Sequence, residues 1–178
     1  MQYYGGIKAA VGNHFNFSAK AAFISYSNMP LFVNDEFVGN TFLLVNESKL
    51  SNFQIHGDLN FVSQDKFTVT GEVDLNSYTG LLDNAKAWGL FPLKLTGSLR
   101  WNAFEHLLVK ADLAAFSGAS AQGIGGSVKN LKGGSDLSAG AEYTITKRFG
   151  VWLDFDNIFN DKYQFWNNYP VYGFQVMG

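Results

Sequence analysis

The stretch that decides the fold is FQIHGDLNFVSQDKFTVTGEVDL, residues 53–75, in which apolar and polar side chains alternate. One set of alternate positions is apolar or small: Phe53, Ile55, Gly57, Leu59 and Phe61, then Phe67, Val69, Gly71, Val73 and Leu75. Successive side chains of a β-strand point to opposite faces, so this period of two predicts strands with one apolar and one polar face. Residues 53–75 are therefore predicted to form an antiparallel hairpin.

The same alternation recurs in residues 93–101, 107–113 and 137–145, and no helical periodicity competes with it. Together these segments predict an all-β fold, an antiparallel up-and-down transmembrane β-barrel of which this chain supplies about nine strands. We expect the strands at roughly 2–12, 15–26, 41–62, 66–78, 93–102, 107–116, 137–146, 149–159 and 170–177.

The composition favours a surface that faces something other than water. Aromatic residues make up 16% of the 178 positions, and charged residues make up only 16%, where a soluble domain carries about 25%. The net charge of -2 gives no basic patch for nucleic acid. The absence of Cys excludes disulfides, thiolate catalysis and Cys-type zinc sites, and we expect no cofactor.

No apolar run reaches the length of about 18 residues that a membrane helix needs, so a membrane-crossing segment in this chain would be a β-strand. Residues 1–6 lack the charged and apolar regions of a signal peptide. We therefore expect a mature chain or a fragment of a longer protein.

The connections between the predicted strands alternate between short and long. Short turns are expected at 13–14, 63–66, 103–106 and 146–148, and long connections at 27–40, 79–92, 117–136 and 160–169. Outer-membrane barrels have short periplasmic turns and long extracellular loops. A soluble sandwich has less reason to keep its two ends so unequal.

Aromatic residues cluster near the short turns, as in the interfacial girdle of a membrane barrel. They are Phe15, Phe17, Phe61, Phe67, Trp101 and Phe149, with Tyr26, Tyr78 and Phe116 at the opposite strand ends. The alternative interpretation is a set of hairpin-end aromatics that close a soluble core. If Phe61 pairs with Phe67 across the turn, Gly57 lies opposite Gly71 on the apolar face.

The C-terminal segment DNIFNDKYQFWNNYPVYGFQVMG, residues 156–178, resembles the end of TonB-dependent receptor barrels. The matching positions are Asn157, Ile158, Phe159, Asn160, Asp161, Lys162, Tyr163, Tyr169 and Pro170. Residues 28–35, 49–57 and 83–101 are also similar to outer-membrane barrels of this group from Bacteroidetes.

The resemblance implies an outer-membrane receptor for TonB-dependent uptake of a bulky solute such as a siderophore or a glycan. That family builds about 22 strands around an N-terminal plug. Residues 1–178 are then part of a single barrel domain, the C-terminal portion, without plug or TonB-binding segment. The partners implied by the resemblance are outer-membrane lipid, a plug and TonB through parts not in this chain, and a surface lipoprotein. The alternative is a self-contained small barrel, either a structural or adhesive outer-membrane protein or a soluble lipid-binding barrel.

The polar face carries one candidate for proton chemistry. His56 is expected opposite Glu72, with Asp58 two residues along the same strand. A hydrogen-bonded pair in the barrel lumen is the favoured interpretation over a proton relay or hydrolase site, because no Ser lies in a recognisable nucleophile motif. The other histidines, His14 and His106, fall in turns, so the three do not have metal-ligand spacing. We expect no enzyme.

The polar face also has an acidic excess, formed by Asp58, Glu72, Asp74, Asp112, Glu142, Asp154 and Asp156 against Lys94, Arg100 and Lys110. Such a face could bias a pore toward cations. In a plugged barrel the same groups would bond the plug, and the resemblance favours this second interpretation. The glycine-rich segment 123–134 lacks a phosphate-loop motif and is predicted to be a flexible outer loop.

Ligand contacts are expected in the long loops, where aromatic and amide side chains gather. The candidates are Trp88, Phe91, Phe165, Trp166, Asn167, Asn168 and Tyr169, with Met29, Leu31 and Phe32 nearby. Aromatic faces suit stacking on a sugar or enclosing a hydrophobic chelate. The alternative, which the sequence leaves equally open, is that these loops pack on one another.

Overall fold

The computed structural model describes residues 1–63 and 66–178, and these residues form one antiparallel sheet of nine strands with two small hairpins beside it. The first six strands are β1 (Gln2–Val11), β2 (Phe15–Asn34), β3 (Phe42–Ser63), β4 (Phe67–Thr79), β5 (Leu93–Phe104) and β6 (Leu107–Phe116). They continue with β7 (Ser120–Gln122), β8 (Val128–Asn130), β9 (Gly134–Thr146), β10 (Phe149–Asp156), β11 (Gln164–Trp166), β12 (Tyr169–Pro170) and β13 (Gln175–Met177).

The main sheet runs in the order β1-β2-β3-β4-β5-β6-β9-β10-β13, so each of its strands lies beside the preceding one. The other strands pair as β7 with β8 and β11 with β12. The prediction of an all-β, up-and-down antiparallel wall of about nine strands is confirmed. In the described part of the chain, β1 and β13 are each paired on one side only.

Most predicted boundaries lie within three residues of the observed ones, and two differ by five residues or more. The second strand was expected to end at residue 26, but β2 continues to Asn34 because residues 29–34 pair with residues 42–47 of β3. Asn28 and Pro30 are poor strand formers, and they hide this continuation in the sequence. The last strand was expected over 170–177, but only Gln175–Met177 pairs with β10. Tyr169 and Pro170 instead form the small hairpin with β11.

The alternation of short and long connections holds in the structure. Short turns follow β1, β5 and β9, and the turn expected at 63–66 includes residues 64 and 65, which lie outside the described residues. The long connections lie at the other end of the wall, at residues 35–41, 80–92, 117–133 and 157–174. Because antiparallel neighbours are joined at alternate ends of a sheet, the alternation of short and long connections places all the long ones at one end.

The hairpin of β3 and β4 has a different register from the expected one. Phe61 lies opposite Val69, and the ladder continues until Ser63 lies opposite Phe67. Gly57 is therefore opposite Val73, while Gly71 lies opposite Leu59 on one side and Gly97 on the other. A shift of two residues keeps every side chain on its predicted face, so the assignment of faces survives the error in register.

One face of the nine-stranded sheet is apolar across its whole width. Cross-strand partners on it include Phe17 with Leu59 and Val73 with Leu95. Many of its large side chains are exposed: Phe23, Phe53, Ile55, Leu59, Leu75, Leu93, Leu95, Trp101, Val151 and Leu153. Soluble proteins rarely expose apolar surface on this scale. No helix in the described ranges has the length and apolar character to cross a membrane; the one helical segment is a 3₁₀ turn, Ile124–Gly126.

Candidate functional site

Beyond the wall, β2 and β3 continue as a two-stranded hairpin extension, formed by residues 27–34 and 42–49. The long connection 80–92, here called the strap, packs on this extension. Leu31, Val33 and Trp88 form a buried cluster there, with Met29, Val45 and Leu90 against it. Trp88 is 5% exposed, so this expected ligand contact is a core residue of the loop assembly.

Glu47 fixes the strap to the extension. Its side chain is fully buried, and its carboxylate accepts hydrogen bonds from the backbone N–H groups of Leu82 at 2.7 Å, Asp83 at 3.2 Å and Asn84 at 2.9 Å. The side-chain amide of Asn84 donates a further bond at 3.0 Å. Burial alone would raise the pKa of Glu47, but these donors outweigh it and lower the pKa to about 2.

The contact between the two segments is reciprocal. Asp83 of the strap accepts hydrogen bonds from the backbone N–H of Ser48, at 2.7 Å, and from the Ser48 hydroxyl. The Asn84 amide also donates to the carbonyl of Asn46 at 3.1 Å. We call residues 46–48 and 82–84 the clamp.

Three aromatic side chains, Phe32, Phe42 and Trp166, line a groove of about 250 Å³, here called the aromatic groove. The Trp166 ring stands edge-on to Phe32 and Phe42, with centroid separations of 6.0 and 5.6 Å. Tyr169 packs on Phe42 at 5.1 Å. Trp166 is 41% exposed and Phe32 51%, so the groove presents aromatic faces to an incoming molecule.

A second group of aromatic residues, the rim cluster, packs where the strap meets the last loop. It consists of Phe91, Phe116, Tyr163 and Phe165, with Phe116 stacked on Phe165 at 4.7 Å and Phe91 edge-on to Phe116 at 5.2 Å. Tyr163 and Phe116 are buried. At Phe91 the structure therefore supports the alternative in which the loops pack on one another, while Phe165 packs in the cluster and retains 39% of its surface.

The Tyr163 hydroxyl anchors this cluster to the wall by donating a hydrogen bond to Asp136 of β9 at 2.9 Å. Burial, followed by the hydrogen bond to Asp136 and its charge, raises the pKa of Tyr163 to about 12. The phenol therefore remains protonated at any physiological pH.

The amide candidates of the last loop are already engaged. Asn167 is 4% exposed, and its side-chain oxygen accepts a hydrogen bond from Lys129 at 2.6 Å. The Asn168 side chain donates to the carbonyl of Gly39 at 2.9 Å, and the Tyr169 hydroxyl donates to that of Asn40. These residues dock the β11–β12 hairpin on the tip of the extension, which places Trp166 over the groove.

The family-like motif at residues 157–170 folds the last loop. Asn157 is buried with a left-handed φ of 47°, and its side-chain amide donates to the carbonyls of Asp161 and Tyr172, both at 2.9 Å. Its oxygen accepts from the Asp161 N–H at 3.1 Å. Asn160 also has positive φ and accepts from the Phe174 N–H at 3.1 Å. Phe159 is exposed and Pro170 pairs opposite Gln164, so the motif acts as loop scaffold.

On the polar face of the wall, the expected pair of His56 and Glu72 is wrong. The two-residue shift in register places His56 opposite Asp74, whose Oδ1 lies 2.8 Å from the imidazole Nδ1. Glu72 lies opposite Asp58, and the Asp58 carboxylate lies 3.7 Å from His56 Nε2.

The same face carries further polar contacts. Ser18 donates its hydroxyl hydrogen to Asp58 and not to His56. Ion pairs join Arg100 to Asp112 at 3.0 Å and Lys110 to Asp154 at 2.9 Å. In the part of the chain that the structure describes, no three His, Cys, Asp or Glu side chains are grouped to hold a metal ion.

Several residues of the loop assembly carry no clear signal in the sequence. Glu47 sits in a polar run of a long strand, where a solvated carboxylate is the ordinary expectation. Phe42 and Asn34 lie at strand ends, and only the continuation of β2 brings them opposite each other. The two apolar runs 29–33 and 42–45, separated by a segment that contains the turn-forming residues Asn34, Asp35, Gly39 and Asn40, could have suggested the extension.

No protein-family model matches the sequence, and no curated protein matches it. Solved structures do match. The siderophore receptor PiuA from Acinetobacter baumannii has a TM-score of 0.74 at 14% identity, covering 98% of this chain and 27% of that one. The ferric-catecholate import receptor Fiu from E. coli K12 has the same TM-score and identity, covering 98% of this chain and 26% of Fiu.

The FrpB iron transporter from Neisseria meningitidis has a TM-score of 0.68 at 16% identity, covering 98% of this chain and 30% of that one. This chain therefore spans less than a third of the length of each of these proteins. At such identities the likeness establishes the fold alone: the described sheet of nine strands is arranged as in part of each of these larger chains.

Proposed function

We propose that this chain is a section of the wall of a TonB-dependent outer-membrane receptor that imports a bulky solute. The observation that carries the proposal is the superposition of 98% of the chain on parts of receptors for siderophores and ferric catecholates. The resemblance of residues 156–178 to the end of such barrels points the same way, and it comes from the sequence alone.

The bacterial outer membrane is the proposed location, and lipid is the first partner. The apolar face of the sheet is continuous over nine strands, and Phe15, Phe61, Phe67, Trp101 and Phe149 lie on it near the short turns. A lipid bilayer would cover this face, and the aromatic residues would sit at its interface. In water the same face would favour aggregation.

We expect further polypeptide of the same protein to pair with the unpaired sheet edges and to cover the polar face. β1 and β13 each have a free edge among the described residues, and open edges do not persist in lipid. Further strands of the same barrel would pair with them, which disfavours the self-contained small barrel. A plug would contact the polar face, and TonB would act through parts outside this chain.

A Bacteroidetes-type receptor with a surface lipoprotein partner is a narrower form of the proposal. It rests on the similarity of residues 28–35, 49–57 and 83–101 to barrels of that group. In the structure these segments form the hairpin extension, the adjoining part of β3, and the strap with β5.

The proposed solute contacts are the aromatic side chains that remain exposed in the loop assembly. Trp166 and Tyr169 at the aromatic groove retain 41% and 46% of their surface, and Phe165 retains 39%. Flat aromatic faces recognise sugar rings, aryl rings and the apolar surface of a chelate. Because two matched proteins are receptors for iron complexes, a ferric catecholate is the first solute to test.

The test uses the natural full-length protein in a Gram-negative host that lacks its own catecholate receptors. Uptake of a ⁵⁵Fe-labelled catecholate is measured with and without functional TonB, and the membrane fraction is washed with urea. We expect the protein in the urea-resistant outer membrane and uptake that depends on both protein and TonB. A protein extracted by urea contradicts the barrel. If uptake of every bulky solute tested, glycans included, is the same with and without functional TonB, the proposal of a TonB-dependent receptor is wrong.

A further inference from the structure

We propose that Glu47 locks the strap, residues 80–92, against the hairpin extension and so positions the aromatic groove. The lock itself follows from contacts within the loop assembly. Its importance for a solute rests on the proposed function, because it assumes that the groove is a binding site.

The lock works because each segment supplies the hydrogen-bond partners of a carboxylate on the other segment. The buried Glu47 carboxylate is bonded almost entirely by donors of the strap, and the Asp83 carboxylate of the strap is bonded by donors of β3. Hydrogen bonds to charged groups are about twice as strong as neutral ones. Separating the two segments breaks all of these bonds together.

Backbone dipoles, and not a cation, stabilise the charge of Glu47. The ion pairs of the described residues join His56, Arg100 and Lys110 to their partners, and none involves Glu47. Because the Glu47 side chain itself is fully buried, salt screens its hydrogen bonds little. The lock should therefore hold at any ionic strength, unlike a surface ion pair.

The strap carries this restraint from the clamp to the groove. After residue 84, Trp88 packs on Leu31 and Val33, and the Gly89 N–H donates to the carbonyl of Ser120 at 2.9 Å. Gly89 also lies directly against the Trp166 ring. The Phe91 ring then packs edge-on against the Phe165 ring, with 5.8 Å between the ring centroids. A shift of the strap would therefore move both the support of Trp166 and one wall of the rim cluster.

The experiment measures opening of the strap without any ligand, so it stands apart from the test of solute uptake. Val33→Cys places a thiol under Trp88, where Val33 is 3% exposed. Its rate of labelling by a maleimide is measured in outer membranes that contain the natural full-length protein. We expect Glu47→Gln to raise this rate at least about tenfold, because the amide cannot accept all the strap's donors.

Two controls separate a local opening from general damage. Glu105→Gln changes an exposed carboxylate in a short turn and should leave the rate unchanged. Ala22→Cys, at a position that is 2% exposed in the wall, should stay slow in the Glu47→Gln background. Equal labelling of Val33→Cys in the wild-type and Glu47→Gln backgrounds overturns the proposal.

If labelling of Ala22→Cys also becomes fast, the β-sheet wall of the Glu47→Gln variant is itself unfolded. Variants that remove fewer hydrogen bonds then test the proposal. Asn84→Ala removes only the two bonds that its side-chain amide donates, and Ser48→Ala removes only the bond from the Ser48 hydroxyl to Asp83. Each should raise the rate at Val33→Cys about threefold or more while Ala22→Cys stays slow. An unchanged rate in both would overturn the proposal, and so would rates that fall as salt concentration is lowered.

Discussion

Gly89 lies so close to the indole of Trp166 that a β-carbon on it would stand 3.0 Å from the ring. Its φ of +70° is also one that residues with a side chain rarely adopt. Both facts make glycine the fitting residue at this point of the strap. Trp166 consequently rests on backbone, and its orientation over the aromatic groove depends on the strap.

Gly89→Ala is expected to weaken docking of the strap by about 1–3 kcal/mol, through backbone strain and the collision with Trp166. Labelling of Val33→Cys should accelerate accordingly. Gly80→Ala is the matched control, because Gly80 has φ +69° but its nearest neighbour, Ser51, is 3.8 Å away. If Trp166→Ala does not reduce the effect of Gly89→Ala, the collision is not its cause.

Asn157→Ala should destabilise the last loop by about 3 kcal/mol. The substitution leaves the carbonyls of Asp161 and Tyr172 without their donor and places a strained residue at φ 47°. The measurement is the temperature at which the full-length barrel loses its folded mobility on a gel. Asn157→Gly also removes the side-chain donor but relieves the backbone strain, so it should be about 1 kcal/mol more stable than Asn157→Ala. Equal loss of stability in the two variants would mean that the positive φ does not contribute to the cost.

The sequence predicts the wall well because its signal is local. Alternation assigns residues such as Leu59 and Val73 to the apolar face whatever the register, since a shift of two residues preserves the face. Register itself depends on how far pairing continues into the turn. A last pair of Phe61 and Phe67 predicts His56 opposite Glu72, whereas the ladder continues to Ser63 and Phe67 and brings Asp74 opposite His56.

The loop assembly is predicted less well because its contacts join segments far apart in the chain. Glu47 meets Leu82, and Asn34 meets the carbonyl of Asn167, across separations that no local pattern encodes. Tyr169 and Trp166 were correctly placed in a long loop with other aromatic residues. Only the structure separates the exposed Trp166 from Trp88, which is buried in the core of the strap.

Acid should release the clamp in a defined range. The pKa of Glu47 is lowered from about 4.5 to about 2, so Glu47 binds a proton more readily when the strap is undocked than when it is docked. The stabilisation is therefore complete above about pH 4.5 and is lost as the pH falls toward and through 2. The other carboxylate of the clamp is Asp83, and Lys49 and Lys86 lie close to the clamp in the sequence.

The measurement is cleavage of the strap by pepsin between pH 4.5 and pH 2, normalised at each pH to the activity of pepsin on an unfolded substrate, with Glu105→Gln as the control variant. Wild-type protein should resist cleavage at the upper end and become susceptible at the lower end. Glu47→Gln should be cleaved readily over the whole range. A wild-type profile as flat as that of Glu47→Gln would mean that the carboxylate does not hold the strap.

Leu95 and Thr96 on β5 distinguish a membrane wall from a soluble sheet. Leu95 lies near the middle of the apolar face, opposite Val73, while Thr96 lies on the polar face opposite Glu72. In a bilayer, Leu95→Lys should cost about 2–4 kcal/mol, because the ammonium group would face hydrocarbon. Thr96→Lys should be neutral or stabilising, since it gains Glu72 as a partner of opposite charge.

The full-length variants are compared by guanidinium unfolding in lipid vesicles and by the amount assembled in the outer membrane. Because Leu95 is already 40% exposed, a soluble protein would tolerate Leu95→Lys almost as well as Thr96→Lys. A difference of several kcal/mol between neighbouring positions requires that the two faces of the sheet meet different solvents. Equal stability of the two variants would mean that lipid does not cover the apolar face, and the proposed outer-membrane location would then be wrong.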